Sequence, residues 1–261
     1  MGDGGVTRHS ESTSSKATRA ARPRPPRRKD DMAILNDYFD ISGFPFADIF
    51  DGVENAWEAL SKIENYILSR EVFSIDCEPA PGAWIENRET VSIGEGTVVE
   101  NGATIIGPAL IGKNCTVRQG AYIRGKLVAG DGCVIGHTTE VKNSIFMNGA
   151  KAAHFAYVGD SILGAGVNLG AGTKLANFKV DTGDRKVSIE AEGQRIATGL
   201  RKLGAILGDG VEIGCNSVTM PGTLVGRGTL VYPCAVLKGI IPAGVLVKVR
   251  QEHNYTEKQG R

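Results

Sequence analysis

From Val91 onward, apolar residues return at every sixth position. Ile93, Val99, Ile105, Ile111, Val117, Ile123, Ile135 and Val141 share one phase, and Ala129 and Met147 complete the run. Two positions ahead of each sits a small side chain: Thr97, Ala103, Ala109, Cys115, Ala121, Cys133 and Thr139. Glycine follows the aliphatic position at Gly94, Gly112, Gly130 and Gly136. The phase slips after Met147 and resumes at Leu163, Leu169 and Leu175. A connection of about 25–30 residues interrupts it, long for a loop in a compact domain. A last run is in step at Leu207, Ile213, Thr219, Val225, Val231 and Leu237.

In a strand, residues i and i−2 point to the same face, so both members of each pair turn inward. A period of six then requires a corner after every short strand, which Gly, Asn and Asp can supply. Coils of this kind bury one another's aliphatic rows and pair their backbones, as stacked repeats must. Helical crossovers, which a doubly wound sheet needs, have no room here. The pattern predicts a mainly β chain, a parallel β-helix of hexapeptide repeats over residues 73–247.

Residues 32–72 read differently. Val53, Trp57, Leu60, Ile63 and Ile67 recur at spacings of three and four, predicting an amphipathic helix between Asp51, as N-cap, and Arg70. Tyr38 to Ile41 and Phe44-Pro45-Phe46 form an irregular apolar segment before it. This short N-terminal helical unit is expected to dock on the main domain or on a neighbouring copy, with Trp57 as a packing residue. Residues 1–31 are Ser-, Pro- and Arg-rich with little to bury, so a disordered basic tail is expected there, and Met32 marks the start of foldable sequence. Residues 248–261 form a C-terminal tail.

Composition narrows the function classes. The 35 glycines exceed the usual share of about 7% and suit many tight corners. Net charge is +1, which points away from nucleic acid, although the first 31 residues hold eight basic and four acidic side chains. Five cysteines, an odd number without C-x-x-C spacing, and no apolar run of membrane length lead to the expectation of a reduced, cytoplasmic protein with no membrane partner. Four histidines, two of them in the expected tails (His9, His253), do not make a three-His metal site, and no metal is expected.

Aliphatic-Gly hexads of this kind resemble the left-handed β-helix acyltransferases. Three stretches narrow the likeness: Glu140-Val-Lys-Asn, Lys151-Ala-Ala-His-Phe-Ala-Tyr-Val-Gly-Asp160, and Val167-Asn-Leu-Gly-Ala-Gly-Thr173 with Asn177. They resemble the acetyltransferase half of the bifunctional N-acetylglucosamine-1-phosphate uridyltransferase/glucosamine-1-phosphate N-acetyltransferases. The resemblance implies a homotrimer, acetyl-CoA as co-substrate and a small-molecule sugar phosphate as acceptor. It implies His154 as general base and Glu140 as the carboxylate that orients it. Arg124 and Lys142 would hold the phosphate, with Tyr157, Asn168 and Asn177 around the sugar and the amine. Ala171, Cys215, Pro233 and Arg250 would line the path of coenzyme A. Residues 1–72 hold no counterpart of the uridyltransferase half, so acetyl transfer alone is expected, with nucleotidyl transfer left to a separate partner. Cys215 stands where the family has Ser. The loop after Asn177 is longer and charged, so its basic site residue stays unassigned.

The chemistry suits these residue types. A glucosamine 2-ammonium must lose a proton before it attacks a thioester, and a neutral imidazole can take it. A guanidinium and an ammonium together fit a phosphate monoester. Backbone N–H groups of Gly170-Ala171-Gly172 could receive the oxyanion. Two other readings stay open: a nucleotide-linked amino sugar as acceptor, and a non-catalytic β-helix partner of a separate sugar-phosphate nucleotidyltransferase.

Overall fold

A computed structural model describes residues 1–2, 35–180, 186–191 and 194–257. The expected tail 1–31 and the loop charges Asp181, Asp184 and Arg185 lie outside the described residues, apart from Met1 and Gly2.

Strands of two to four residues recur from Trp84–Glu86 to Leu246–Val247, each paired in parallel with its equivalent one coil away. They sort into three eight-stranded sheets, the walls of a parallel β-solenoid. Face I begins with Val91–Ile93, face II with Val98–Val99 and face III with Trp84–Glu86. Register keeps like on like: Ile123, Val141 and Val158 stack inside face III. The rows of aliphatic and small residues form one continuous core along the axis. Face I meets face II through Gly94, Gly112 and Gly130. A Cβ on Gly94 would stand 2.7 Å from the Gly112 carbonyl carbon, so the coils stack closely only without one.

Two expectations about phase need correction. Met147 is not part of the inward row: Phe146 is, and Met147 points out into a second core. The slip therefore falls earlier, between Val141 and Phe146, and again between Val158 and Leu163. At both places the face III to face I corner is one residue short. His154, although it follows the slip, lies in a regular strand, Lys151–His154, paired on both sides. The irregular points are Asn143 and Asp160, which turn the shortened corners with φ of 45° and 48°. Asn and Asp are the side chains that tolerate this left-handed backbone best after glycine.

Face I is buried on both sides. Its outward residues Leu110, Val128, Ile145, Ile162, Ile206 and Leu224 are covered by the N-terminal unit and by Val187, Ile189 and Leu203. The N-terminal helix is shorter than predicted. A 3-10 turn, Ala56–Glu58, leads into an α-helix over Ala59–Leu68, and Asp51 instead ends the 3-10 helix Ala47–Phe50. Glu58 closes the start by accepting from the Glu54 N–H (3.0 Å) and the Asn55 amide (2.8 Å). Trp57 packs as expected, at 3% exposure. The long connection is also more ordered than predicted, since Ser188–Ala191 and Gln194–Ala197 form an antiparallel hairpin. Asp209 pins the N-terminal unit, accepting from the Asp40 N–H (2.7 Å) and from Arg227 (2.7 Å).

Candidate active site

Face III carries most of the predicted polar residues on its outer side. Tyr122, Glu140, Tyr157 and Lys174 stack in one outward column. Arg124 and Lys142 stand in the next, directly above Gly159. The alternation that sends Val141 inward sends Glu140 and Lys142 outward together.

At the end of these strands the two short corners bring three residues into line at a spacing of 17: Asn143, Asp160 and Asn177. Asp160 is the hub. Its side chain is 7% exposed, and its carboxylate accepts from Asn143 (2.9 Å), from Asn177 (2.5 Å) and from the Lys142 ammonium (3.3 Å). Arg124 pairs with Glu140 at 2.5 Å, and that bond raises the guanidinium pKa further. Glu140 thus faces Arg124 in the single chain. The Tyr157 hydroxyl is pushed up mainly by burial, against a hydrogen bond with Asn177 that lowers it. A Cβ on Gly159 would lie 2.6 Å from both the Tyr157 hydroxyl and the Asn177 amide. Glycine there leaves room for ring and amide to meet over the strand.

A second group lines the opposite edge of face III, at its corner with face II. Backbone bonds from Phe155 to His137, from Gly172 to His154, from Asn216 to Ala171 and from Cys234 to Cys215 define one column there. It runs His137, His154, Ala171, Cys215, Pro233, one residue per coil, at about 4.8 Å each. Predicted base and predicted cofactor wall therefore share a ridge. His154 is exposed, and its neighbour Phe155 is 54% exposed with φ of 50°, where other coils place Thr138, Gly172, Asn216 and Cys234. The Gly170 and Gly172 N–H groups are taken by Ile213 and His154 carbonyls, whereas the Ala171 N–H has no acceptor among the described residues. Of the three proposed oxyanion donors, Ala171 is the one left available.

The structure therefore gathers Arg124, Glu140, Lys142, Tyr157 and Asn177 at one side of face III and His154, Ala171, Cys215 and Pro233 at the other. Glu140 and Tyr157 open the strands that cross between the two edges, so their backbone lies next to the His154 ridge while their side chains reach toward Arg124 and Asn177. Asn168 stands apart on face II, beside Lys151 and Glu212. Arg250 is exposed beyond the last strand. Sequence reasoning missed Asp160 and Asn143 as members of the cluster. The signal was present: polar corner residues at 143, 160 and 177 repeat every 17, while the hexads imply 18. His137 was also missed. Its Nδ1 lies 2.9 Å from the Gln119 carbonyl, and its ring meets Phe155 edge-on at 5.3 Å. All five cysteines are free, and among the described residues no group of three or more His, Cys, Asp or Glu could hold a metal ion. No described helix is long and apolar enough to cross a membrane.

Comparison with known proteins places the similarity over this region. Residues 105–199 match the family described as the GMPPB C-terminal domain. A bifunctional sugar-1-phosphate nucleotidylyltransferase/acetyltransferase of Sulfurisphaera tokodaii is 42% identical over 115 residues, 44% of this chain and 28% of that protein. A bifunctional protein GlmU of Methanocaldococcus jannaschii is 36% identical over 118 residues, 45% of this chain and 28% of that protein. The chain thus spans under a third of the length of these relatives. Among solved structures, an Arabidopsis UDP-N-acetylglucosamine acyltransferase aligns over 67% of this chain and 70% of its own, with 13% identity and a TM-score of 0.35.

Proposed function

We propose that this chain is an acetyl-CoA-dependent N-acetyltransferase of the hexapeptide-repeat type, acting as a homotrimer on an amino-sugar phosphate, with glucosamine 1-phosphate as the acceptor. One observation carries the reading: a cationic cluster and an exposed imidazole border the same narrow face, and the imidazole heads a ridge of small corner residues.

In this reading Arg124 and Lys142 take the phosphate, exchanging part of their bonds to Glu140 and Asp160 for a dianion. Tyr157 and Asn177 orient the sugar. His154 accepts the proton of the 2-ammonium, and the freed amine forms the C–N bond to the acetyl carbonyl. The Ala171 N–H receives the oxyanion, and collapse breaks the C–S bond and expels the coenzyme A thiolate, which takes up the second proton that the nitrogen sheds as the amide forms. In the single chain Glu140 is engaged by Arg124, the same guanidinium that would take the phosphate. The relatives' names, with their acetyltransferase function, support the same chemistry.

The test is release of free thiol from acetyl-CoA with glucosamine 1-phosphate, glucosamine 6-phosphate or glucosamine as acceptor. We expect turnover with the 1-phosphate and a loss of about 10²–10⁴-fold in His154→Ala. Because His154 is exposed, that variant should keep its thermal stability. Absence of thiol release with every acceptor would favour a non-catalytic scaffold.

A further inference from the structure

The cluster at Asp160 opens onto more space than a sugar phosphate fills. A cavity of about 320 Å³ holds Arg124 and Lys142, and a second of about 660 Å³ continues from it. They share Leu60 and Ser61 of the N-terminal helix and Asn143 and Asp160 of the corner. The larger one extends to Phe178, Leu200, Arg201 and Lys202.

Charge separates the two parts. In the smaller cavity each cation already has a carboxylate: Arg124 has Glu140, Lys142 has Asp160, and Lys126 has Glu64 at 2.7 Å. In the larger, Arg201 and Lys202 are exposed and pair with no carboxylate among the described residues. Its one acidic lining residue, Asp160, already accepts from three donors. The same walls are apolar at Leu60 and Leu200, and the Phe178 ring is 41% exposed beside them. Two cations unpaired among the described residues, next to a bare aromatic ring, suit a phosphoryl group followed by a planar base, since cations bind the first and aromatic rings stack on the second. The volume lies within the usual range for a ligand of nucleotide size.

We infer that the cleft of Phe178, Arg201 and Lys202 is a nucleoside-diphosphate subsite, so that the acceptor includes amino sugars carried on a nucleoside diphosphate. The inference rests on the acetyl-transfer reading for the sugar end and extends it: the phosphoryl next to the sugar sits at Arg124 and Lys142, and the second at Arg201 and Lys202. The reaction remains the same N-acetylation, with the phosphoanhydride untouched. The N-terminal helix forms one wall and lies outside the segment matched by the family comparison.

Two measurements on the full chain test this. The first is calorimetric titration with uridine 5′-diphosphate, guanosine 5′-diphosphate and pyrophosphate. We expect a nucleoside diphosphate to bind more tightly than pyrophosphate. We expect the double variant Arg201→Gln/Lys202→Gln to weaken it by about 10- to 100-fold. Phe178→Ala should erase the advantage over pyrophosphate. The second is acetylation kinetics, where the double variant should raise KM for uridine-diphosphate-linked glucosamine by a similar factor and change KM for glucosamine 1-phosphate less than about twofold. No nucleotide binding, binding no tighter than pyrophosphate, or equal effects on both acceptors would overturn the subsite. If neither acceptor is acetylated while nucleotide binding still depends on Arg201 and Lys202, the acetyl-transfer reading falls and the nucleotide subsite stands.

Discussion

Asp160 and Thr219 are two polar residues buried in the same solenoid with opposite outcomes. A buried carboxylate persists when its charge is paired and its oxygens are hydrogen-bonded, and Asp160 meets both conditions through Lys142, Asn143 and Asn177. Thr219 occupies an inward position between Leu175 and Leu237, and its hydroxyl is buried without a partner among the described residues. Leaving a hydroxyl unsatisfied costs about 1–3 kcal/mol. Thr219→Val, nearly the same shape, should therefore raise the unfolding free energy by about 1 kcal/mol in chemical denaturation. An unchanged or lower midpoint would mean the hydroxyl is satisfied after all. At this scale the inward rows were legible because burial selects aliphatic side chains at a fixed period. The hydrogen bonds of Asp160 were not, since they form between residues of three separate coils.

Elements divide between local and tertiary causes. The hexad strands, two or three residues long, are too short to be stable alone and exist through the coil above and below. The helix Ala59–Leu68 follows from the spacing of Leu60, Ile63 and Ile67, while its start at Ala59 depends on the 3-10 turn held by Glu58. Its role is to cover face I. Ile63 is fully buried in that contact, so Ile63→Ala should destabilise the protein by about 2–5 kcal/mol, measured by denaturation. A loss below 1 kcal/mol would mean the helix adds little to the fold. This docking also had a trace in the sequence: Leu110, Val128, Ile145, Ile162, Ile206 and Leu224 are apolar coil after coil, where the equivalent outward positions of faces II and III mix polar residues such as Glu140, Lys151, Asn168, Lys174 and Glu212 with exposed apolar ones such as Val98, Leu230 and Val236. The hairpin over Ser188–Ala191 and Gln194–Ala197 had none, because its inner side is completed by face I.

For the whole molecule, one covered face and two open ones set where chemistry can occur. Face I is sealed by the N-terminal unit and the hairpin segment, and face III leaves its outer side open, with the imidazole at one edge and the cation cluster at the other. If coenzyme A lies along the ridge of Ala171, Cys215 and Pro233, it binds the folded chain only. At 100 times its dissociation constant it should then add about 2.7 kcal/mol to the unfolding free energy, read as a rise in melting temperature. No shift would remove coenzyme A from the proposed function. The six-residue rhythm alone determined the solenoid, because a stacked coil has one way to hide a row of aliphatic residues at that period. The family resemblance named Arg124, Glu140, Lys142, His154, Tyr157 and Asn177 and set Glu140 beside His154, whereas the single chain pairs Glu140 with Arg124. Tertiary structure decided that two corners each lose a residue, so that Asn143, Asp160 and Asn177 fall into line. It also decided that the helix from residues 59–68 leans over them to make a cleft. Both depend on distances between coils, which a linear pattern does not contain.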